Sequence, residues 1–147
     1  MNFRLLFGIS CLLSCCLIGS SFFNAAFADA ILGEKSFRKC KSCHMIKTEE
    51  DVFIQKGGKT GPNLWKLNGR PLASTTYRYG KSLIAVGKTG LVWDQENFIE
   101  YVANPKAFLA SRLNDRSAKS KMSYRLKRKS DASNIWAYLN SVVKKNN

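Results

Sequence analysis

The stretch Cys40-Lys41-Ser42-Cys43-His44 sets two thiols three positions apart, with a histidine directly after the second. C-x-x-C-H is the attachment signature of a c-type haem, because each thiol can add to one vinyl group of a porphyrin to give two thioether bonds. The spacing suits a helical turn, since residues three apart share a helix face. His44 then projects toward the same ring, where its imidazole can ligate the iron from the proximal side.

Composition narrows the alternatives. Of the five cysteines, Cys11, Cys15 and Cys16 lie in an N-terminal apolar segment, and only Cys40 and Cys43 lie beyond it. His44 is the one histidine of the chain. A structural zinc site needs four ligands, and two Cys and one His fall short of that unless a carboxylate completes the set. A thioredoxin-like dithiol needs a βαβ setting, and no alternation of strand and helix patterns is present. A six-coordinate haem needs a second axial ligand. Of the three methionines, Met1 lies at the N-terminus and Met45 is too close to His44 to reach the opposite face of the ring. Met122 is the thioether that remains.

Residues 1–28 read as a secretory signal. Arg4 supplies the charged start, Leu5 to Phe23 is an uncharged apolar run, and Ala26-Phe27-Ala28 is a cleavage site of small residues. The alternative is an uncleaved anchor, because the run approaches the ~20 residues that span a bilayer. Export suits the chemistry: two close thiols in an oxidising compartment otherwise form a disulfide, and haem addition consumes both. Removing residues 1–28 takes away one basic and no acidic residue, so the formal charge passes from +14 to +13. Residues 29–147 suit one domain. It is small for a self-sufficient core, and a buried haem would add apolar contact area.

Along that domain, 29–41 is expected to be a helix with Leu32, Ser36, Phe37 and Cys40 near one face and Gly33 admitting a second helix. Residues 47–59 are polar, end in Gly57-Gly58 and read as a loop. Residues 94–103 form a helix capped by Asp94, with an apolar face of Phe98, Tyr101 and Val102; Asn104-Pro105 stops it, and Pro105 opens a short helix to about Leu109. Residues 130–143 form a C-terminal helix, capped by Ser130, whose apolar face is Ile135, Trp136, Leu139, Val142 and Val143. No strand pattern stands out.

Cys40 to His44 is followed in order by Gly61-Pro62-Asn63-Leu64, Trp93, Asn104-Pro105-Lys106 and Lys121-Met122. Together these motifs resemble class I cytochrome c, above all the bacterial cytochromes c2 and mitochondrial-type cytochrome c, over about residues 33–139. The resemblance implies an all-α cytochrome c fold, with N- and C-terminal helices crossing and shorter helices and loops wrapped around one covalently bound haem c. It implies that Ile135 and Tyr138 pack against Gly33 and Phe37, and that the Pro62 carbonyl accepts a hydrogen bond from the second ring nitrogen of His44. Arg70, Tyr77, Tyr79 and Trp93 match positions near the haem propionates, Tyr101 a tyrosine whose hydroxyl lies near the methionine sulfur, and Tyr124 an aromatic over the ring edge. Residues 67–93 correspond to an irregular loop, a few residues longer here between Tyr79 and Trp93 than in the mitochondrial pattern. A short Pro-Gly-Thr-Lys approach to the methionine is replaced here by Ala110 to Lys121, which puts the rigidity of the Met122 ligand in question.

Two axial ligands, His44 and Met122, leave no open coordination position, so the implied role is one-electron transfer rather than enzymatic turnover. A histidine–methionine pair raises the reduction potential. Lys119, Lys121, Arg125, Lys127, Arg128 and Lys129 cluster around Met122, and Lys41, Lys47 and Lys59 flank the other ligand region. Such a face steers acidic partners and favours weak, transient contact. The expected protein is a monomeric periplasmic carrier that takes electrons from a bc1-type complex and passes them to a cytochrome c oxidase or a similar acceptor, such as a reductase or a photosynthetic reaction centre. Nucleic acid is not an expected partner of an exported chain. The alternatives are a haem ligand sensor or weak peroxidase with a displaceable Met122, and a thiol oxidoreductase.

Overall fold

The computed structural model describes residues 21–146, with side chains from residue 29 onward. Its elements in chain order are α1 (Ser21–Phe37), β1 (Ile46–Lys47), β2 (Phe53–Gln55), α2 (Lys81–Gly87), α3 (Gln95–Ala103), α4 (Pro105–Leu113) and α5 (Lys129–Asn146). α1 starts ahead of Ala28, so cleavage there would shorten it to residues 29–37. Residues 1–20 of the apolar N-terminal segment lie outside the described residues.

Gly33 sets the frame. A Cβ at this position would stand 1.9 Å from the carbonyl oxygen of Asn134 and 2.8 Å from the Cβ of Tyr138, so α1 and α5 cross backbone against backbone. One turn on, the fully buried Phe37 fills the crossing, its ring 5.5 Å from that of Tyr138. The buried face of α1 is Ala30, Gly33 and Phe37, and Leu32 is half exposed to solvent, against the expected face. The difference follows from helical geometry: a stripe at offsets of three and four carries through 30, 33 and 37, and Leu32 sits off it. The helix also ends at Phe37 rather than Lys41, giving way to turns before the cysteines.

Gly33→Ala should therefore force the two helices apart. The expected cost is ~3 kcal/mol, the upper end for overpacking. Gly69 is a control, with φ of 75° and nothing within 4 Å; Ala there should cost only the ~1 kcal/mol of a left-handed backbone. Thermal unfolding measures both, and equal shifts would contradict the crossing.

α3 begins as its sequence dictates, with an Asp94 carboxylate oxygen accepting the Asn97 N–H at 2.8 Å. Asn104 ends α3 and starts α4, accepting the Ala107 N–H at 3.2 Å with Pro105 in the first turn. α4 runs a turn past Leu109. Phe98 of α3 stacks against Trp136 of α5 at 5.3 Å, and Tyr101 meets Phe108 of α4 edge-on at 5.6 Å. In α5 the expected buried residues Ile135, Trp136, Leu139 and Val142 are buried, and Val143 packs at the margin. Ser130 is inside the helix, not its cap. Asp131 supplies the negative charge that a helix start favours, and it takes a two-pronged hydrogen bond from Arg128 at 3.0 and 3.1 Å.

Two elements were not expected. The 47–59 segment holds the second strand of a short antiparallel pair, anchored by the fully buried Ile46 opposite Gln55. Its turn is closed by Thr48, whose N–H reaches Val52 O at 2.9 Å, with Asp51 at φ 63°. The 67–93 loop contains α2, held to the core by Leu83 and Val86.

Candidate functional site

The Cys40–His44 segment closes one helical turn: Cys43 N–H and His44 N–H both reach Cys40 O, at 3.1 and 2.9 Å. The 57–61 loop lies across it, with Gly58 N–H on Lys41 O at 2.9 Å and Gly61 N–H on Cys43 O at 2.8 Å. Both thiols are free rather than paired in a disulfide. Cys40 is half-buried, and desolvation pushes its thiol up to about 11 against the pull of Lys39. Cys43 is exposed, and hydrogen bonds from the Thr60 and Ser42 hydroxyls lower it.

His44 is oriented from two sides. Its Nδ1 lies 2.8 Å from Pro62 O and donates to it, which leaves the Nε2 lone pair for a metal. Burial lowers its pKa, with the Pro62 carbonyl opposing, so the neutral ring that a ligand needs is favoured. Gly61 lies flat against the imidazole: a Cβ there would fall 2.4, 2.6 and 2.7 Å from Cε1, Nδ1 and Nε2. In the sequence Gly61 stands out only as part of the Gly61-Pro62-Asn63-Leu64 motif; the contact is visible only once the loop is folded over the ring.

One cavity of about 400 Å³ collects the candidate residues: Cys40, Cys43, His44, Pro62, Arg70, Tyr77, Tyr79, Trp93, Tyr101 and Met122 all line it. Its walls are mainly apolar, with Leu67, Leu83, Leu109 and Ile135 among them. The size falls in the ~300–1,000 Å³ range of cofactor sites. Leu83 comes from α2, and no motif pointed to it. Tyr124 lines the rim and is 42% exposed.

Arg70, Tyr77, Tyr79, Trp93 and Tyr101 bring polar groups to the lining. The half-buried Arg70 donates to the carbonyls of Trp65 and Asn63 at 3.0 and 3.1 Å and pairs with no carboxylate among the described residues. Burial lowers its pKa. Two of its five N–H donors are used, so it can still receive an anion. The Tyr77 hydroxyl donates to Thr60 O, and that of Tyr79 shares a hydrogen bond with Thr75 Oγ1 at 2.6 Å. Trp93, edge-on to Tyr101 at 5.1 Å, has no hydrogen-bond acceptor for its indole N–H among the described residues. The Tyr101 hydroxyl stands 3.4 Å from Ser120 Oγ, two residues before Met122, and burial raises its pKa.

Over 117 residues the chain is 51% identical to cytochrome c-551 of Roseobacter denitrificans, covering 80% of this chain and 83% of that one. The chain belongs to the class I cytochromes c. It is also 43% identical over 121 residues to cytochrome c2 of Rhodobacter capsulatus, covering 81% of this chain and 87% of its relative. The solved structure of cytochrome c2 from Rhodobacter capsulatus superposes with a TM-score of 0.75 at 41% identity, over 78% of this chain and 98% of that one. That of Paracoccus denitrificans cytochrome c2 gives 0.75 at 38% identity, over 80% and 98%. No protein-family model matches the chain. The fold is that of cytochrome c2, helix-rich with a single short strand pair among the described residues.

The cytochrome c2 family carries one covalently attached haem c, and the residues here fit it. Two thiols outside any disulfide and an imidazole with Nε2 available line an apolar cavity, a thioether lines the same cavity, and an Arg without an acid partner among the described residues and a free indole N–H match the two carboxylates of a haem.

Proposed function

We propose that this cytochrome is a one-electron carrier of the periplasm, with haem joined to Cys40 and Cys43 and held between His44 and Met122. The observation that carries the reading is the cavity in which all four residues meet, with His44 already turned by Pro62. Bound haem supplies the redox centre, its iron alternating between ferric and ferrous. The chain does the rest. The Pro62 carbonyl raises the basicity of His44 and fixes its tautomer. The Met122 thioether favours the ferrous state, and the apolar walls disfavour the added ferric charge. Arg70 and Trp93 offer donors to the propionates. With His44 and Met122 both holding the iron there would be no place for a substrate, so the protein would act as a carrier and not an enzyme.

The N-terminal pattern supports export with removal of residues 1–28, and no helix among the described residues is long and apolar enough to cross a membrane. Lys39, Lys119 and Lys121 stand on the cavity rim, with Lys41, Lys59, Arg125 and Lys127 exposed nearby in sequence. Lys39 and Arg128 share the carboxylate of Asp131, at 3.7 and 3.0 Å, which leaves the face strongly positive. The partners that fit are acidic docking surfaces, as on a bc1-type complex upstream and a cytochrome c oxidase or similar acceptor downstream, met transiently by a monomer. Stopped-flow reduction by a purified bc1-type complex tests this. The rate constant should fall about ten-fold or more between ~0.01 M and ~0.15 M salt. A slow, salt-independent rate would contradict the carrier reading.

A further inference from the structure

We propose that α2 is a positioning element for Met122, acting through the Ser82 hydroxyl; this rests on the ligand assignment above. Residues 110–121 are where the chain replaces the short approach to the methionine, and they are not a free loop. α4 absorbs the first four of them. Asn114, in the left-handed conformation, then closes the helix, with Asp115 N–H reaching back to Ala110 O at 3.0 Å. The Asp115 carboxylate takes the Ser117 N–H at 2.8 Å and its hydroxyl at 3.0 Å, and Ala118 is buried.

The three residues before Met122 are each tied to a different part of the fold. Lys119 N–H donates to Ser82 Oγ of α2 at 3.0 Å. Ser120 Oγ meets the Tyr101 hydroxyl of α3 and accepts the Met122 N–H at 3.1 Å. Lys121 Nζ donates to Arg78 O at 2.8 Å, and Gly80, directly ahead of α2, runs close beneath it: a Cβ there would be 3.3 Å from Lys121 Cγ.

α2 is stiff enough to serve. Leu83 and Val86 are buried, and at its last residue Gly87 packs so closely that a Cβ would lie 2.2 Å from Leu72 O. α2 also packs on α4. α2 and the 110–121 segment therefore face each other, and each completes the other. The Ser82 bond lies at the surface, so it adds little to folding. Its effect falls on how often the 119–122 segment swings away from the cavity.

The test uses the haem-loaded ferrous protein and measures the rate at which it takes up carbon monoxide, which reports release of Met122. Ser82→Ala should raise that rate about five-fold, the population change expected from losing one ordinary hydrogen bond. Ser82→Thr should restore it to within two-fold of wild type. Ser74→Ala, which removes a surface hydroxyl bond to Pro71 O away from the 119–122 segment, should leave the rate unchanged. A Ser82→Ala rate within two-fold of wild type, or an equal rise in Ser74→Ala, would overturn the positioning role. Wild-type ferric protein without a thioether-to-iron charge-transfer band would sink the ligand assignment and this inference together; the band with a Ser82→Ala rate like wild type would sink this inference alone.

Discussion

Met122→Ala is expected to abolish the thioether-to-ferric-iron band, open the ferrous protein to carbon monoxide, and lower the reduction potential by on the order of 0.1 V or more, within the ~0.8 V that axial ligands span. Three features predict a loss this complete. Among the described residues Met122 is the only methionine that lines the cavity. The segment that presents it is fixed at Lys119, Ser120 and Lys121, so a vacated position is not filled by a neighbouring side chain swinging in. An alanine leaves room for water and no soft donor, and the ferrous state loses the partner that favoured it. The rest of the fold should survive, because Met122 is only half-buried and the close contacts of the helix crossing at Gly33 are made by Asn134 and Tyr138. Absorption spectroscopy and potentiometry check this. An unchanged band would mean that a different group ligates the iron.

Gly61→Ala is expected to be as damaging from the opposite side, although it adds a single methyl group. That methyl would sit within 2.4 to 2.7 Å of three imidazole atoms, and such contacts cannot be held. Either the His44 ring turns, which breaks its 2.8 Å bond to Pro62 O, or the loop lifts and the 2.8 Å bond from Gly61 N–H to Cys43 O is lost. Overpacking costs ~1–3 kcal/mol, and a broken hydrogen bond adds ~1 kcal/mol. The expected result is ~3 kcal/mol of lost stability and a poor yield of haem-loaded protein, measured by denaturant unfolding and by absorbance per mole of chain. Gly69→Ala should load normally. A Gly61→Ala protein that loads and unfolds like wild type would contradict the ring contact.

Much of the site was legible because its chemistry needs rare residue types. A single histidine, two cysteines beyond the N-terminal apolar segment and one spare methionine leave few ways to build a six-coordinate haem, and the cavity collects all of them. The α3 start was legible for a local reason: Asp94 caps its own helix three residues on. What was not legible depended on contacts between distant parts of the chain. α2 begins after Gly80 with no side-chain cap, so nothing in its seven residues announces a helix; burial of Leu83 and Val86 makes it one. The strand pair is only five residues long, and its strongest cause is the burial of Ile46. Leu32 was expected inside because it is apolar, yet the crossing at Gly33 selects Ala30 and Phe37 instead. Arg70 was read as a donor to the propionates, and its two bonds to backbone carbonyls show that it also ties together the 63–65 loop.

The mass of the exported protein under denaturing conditions tests the central claim most directly. The account predicts residues 29–147 plus one haem, with the added mass remaining on the peptide that contains Cys40 and Cys43 and no thiol left to alkylate there. A mass equal to that of the polypeptide alone, with both thiols alkylated, would contradict it.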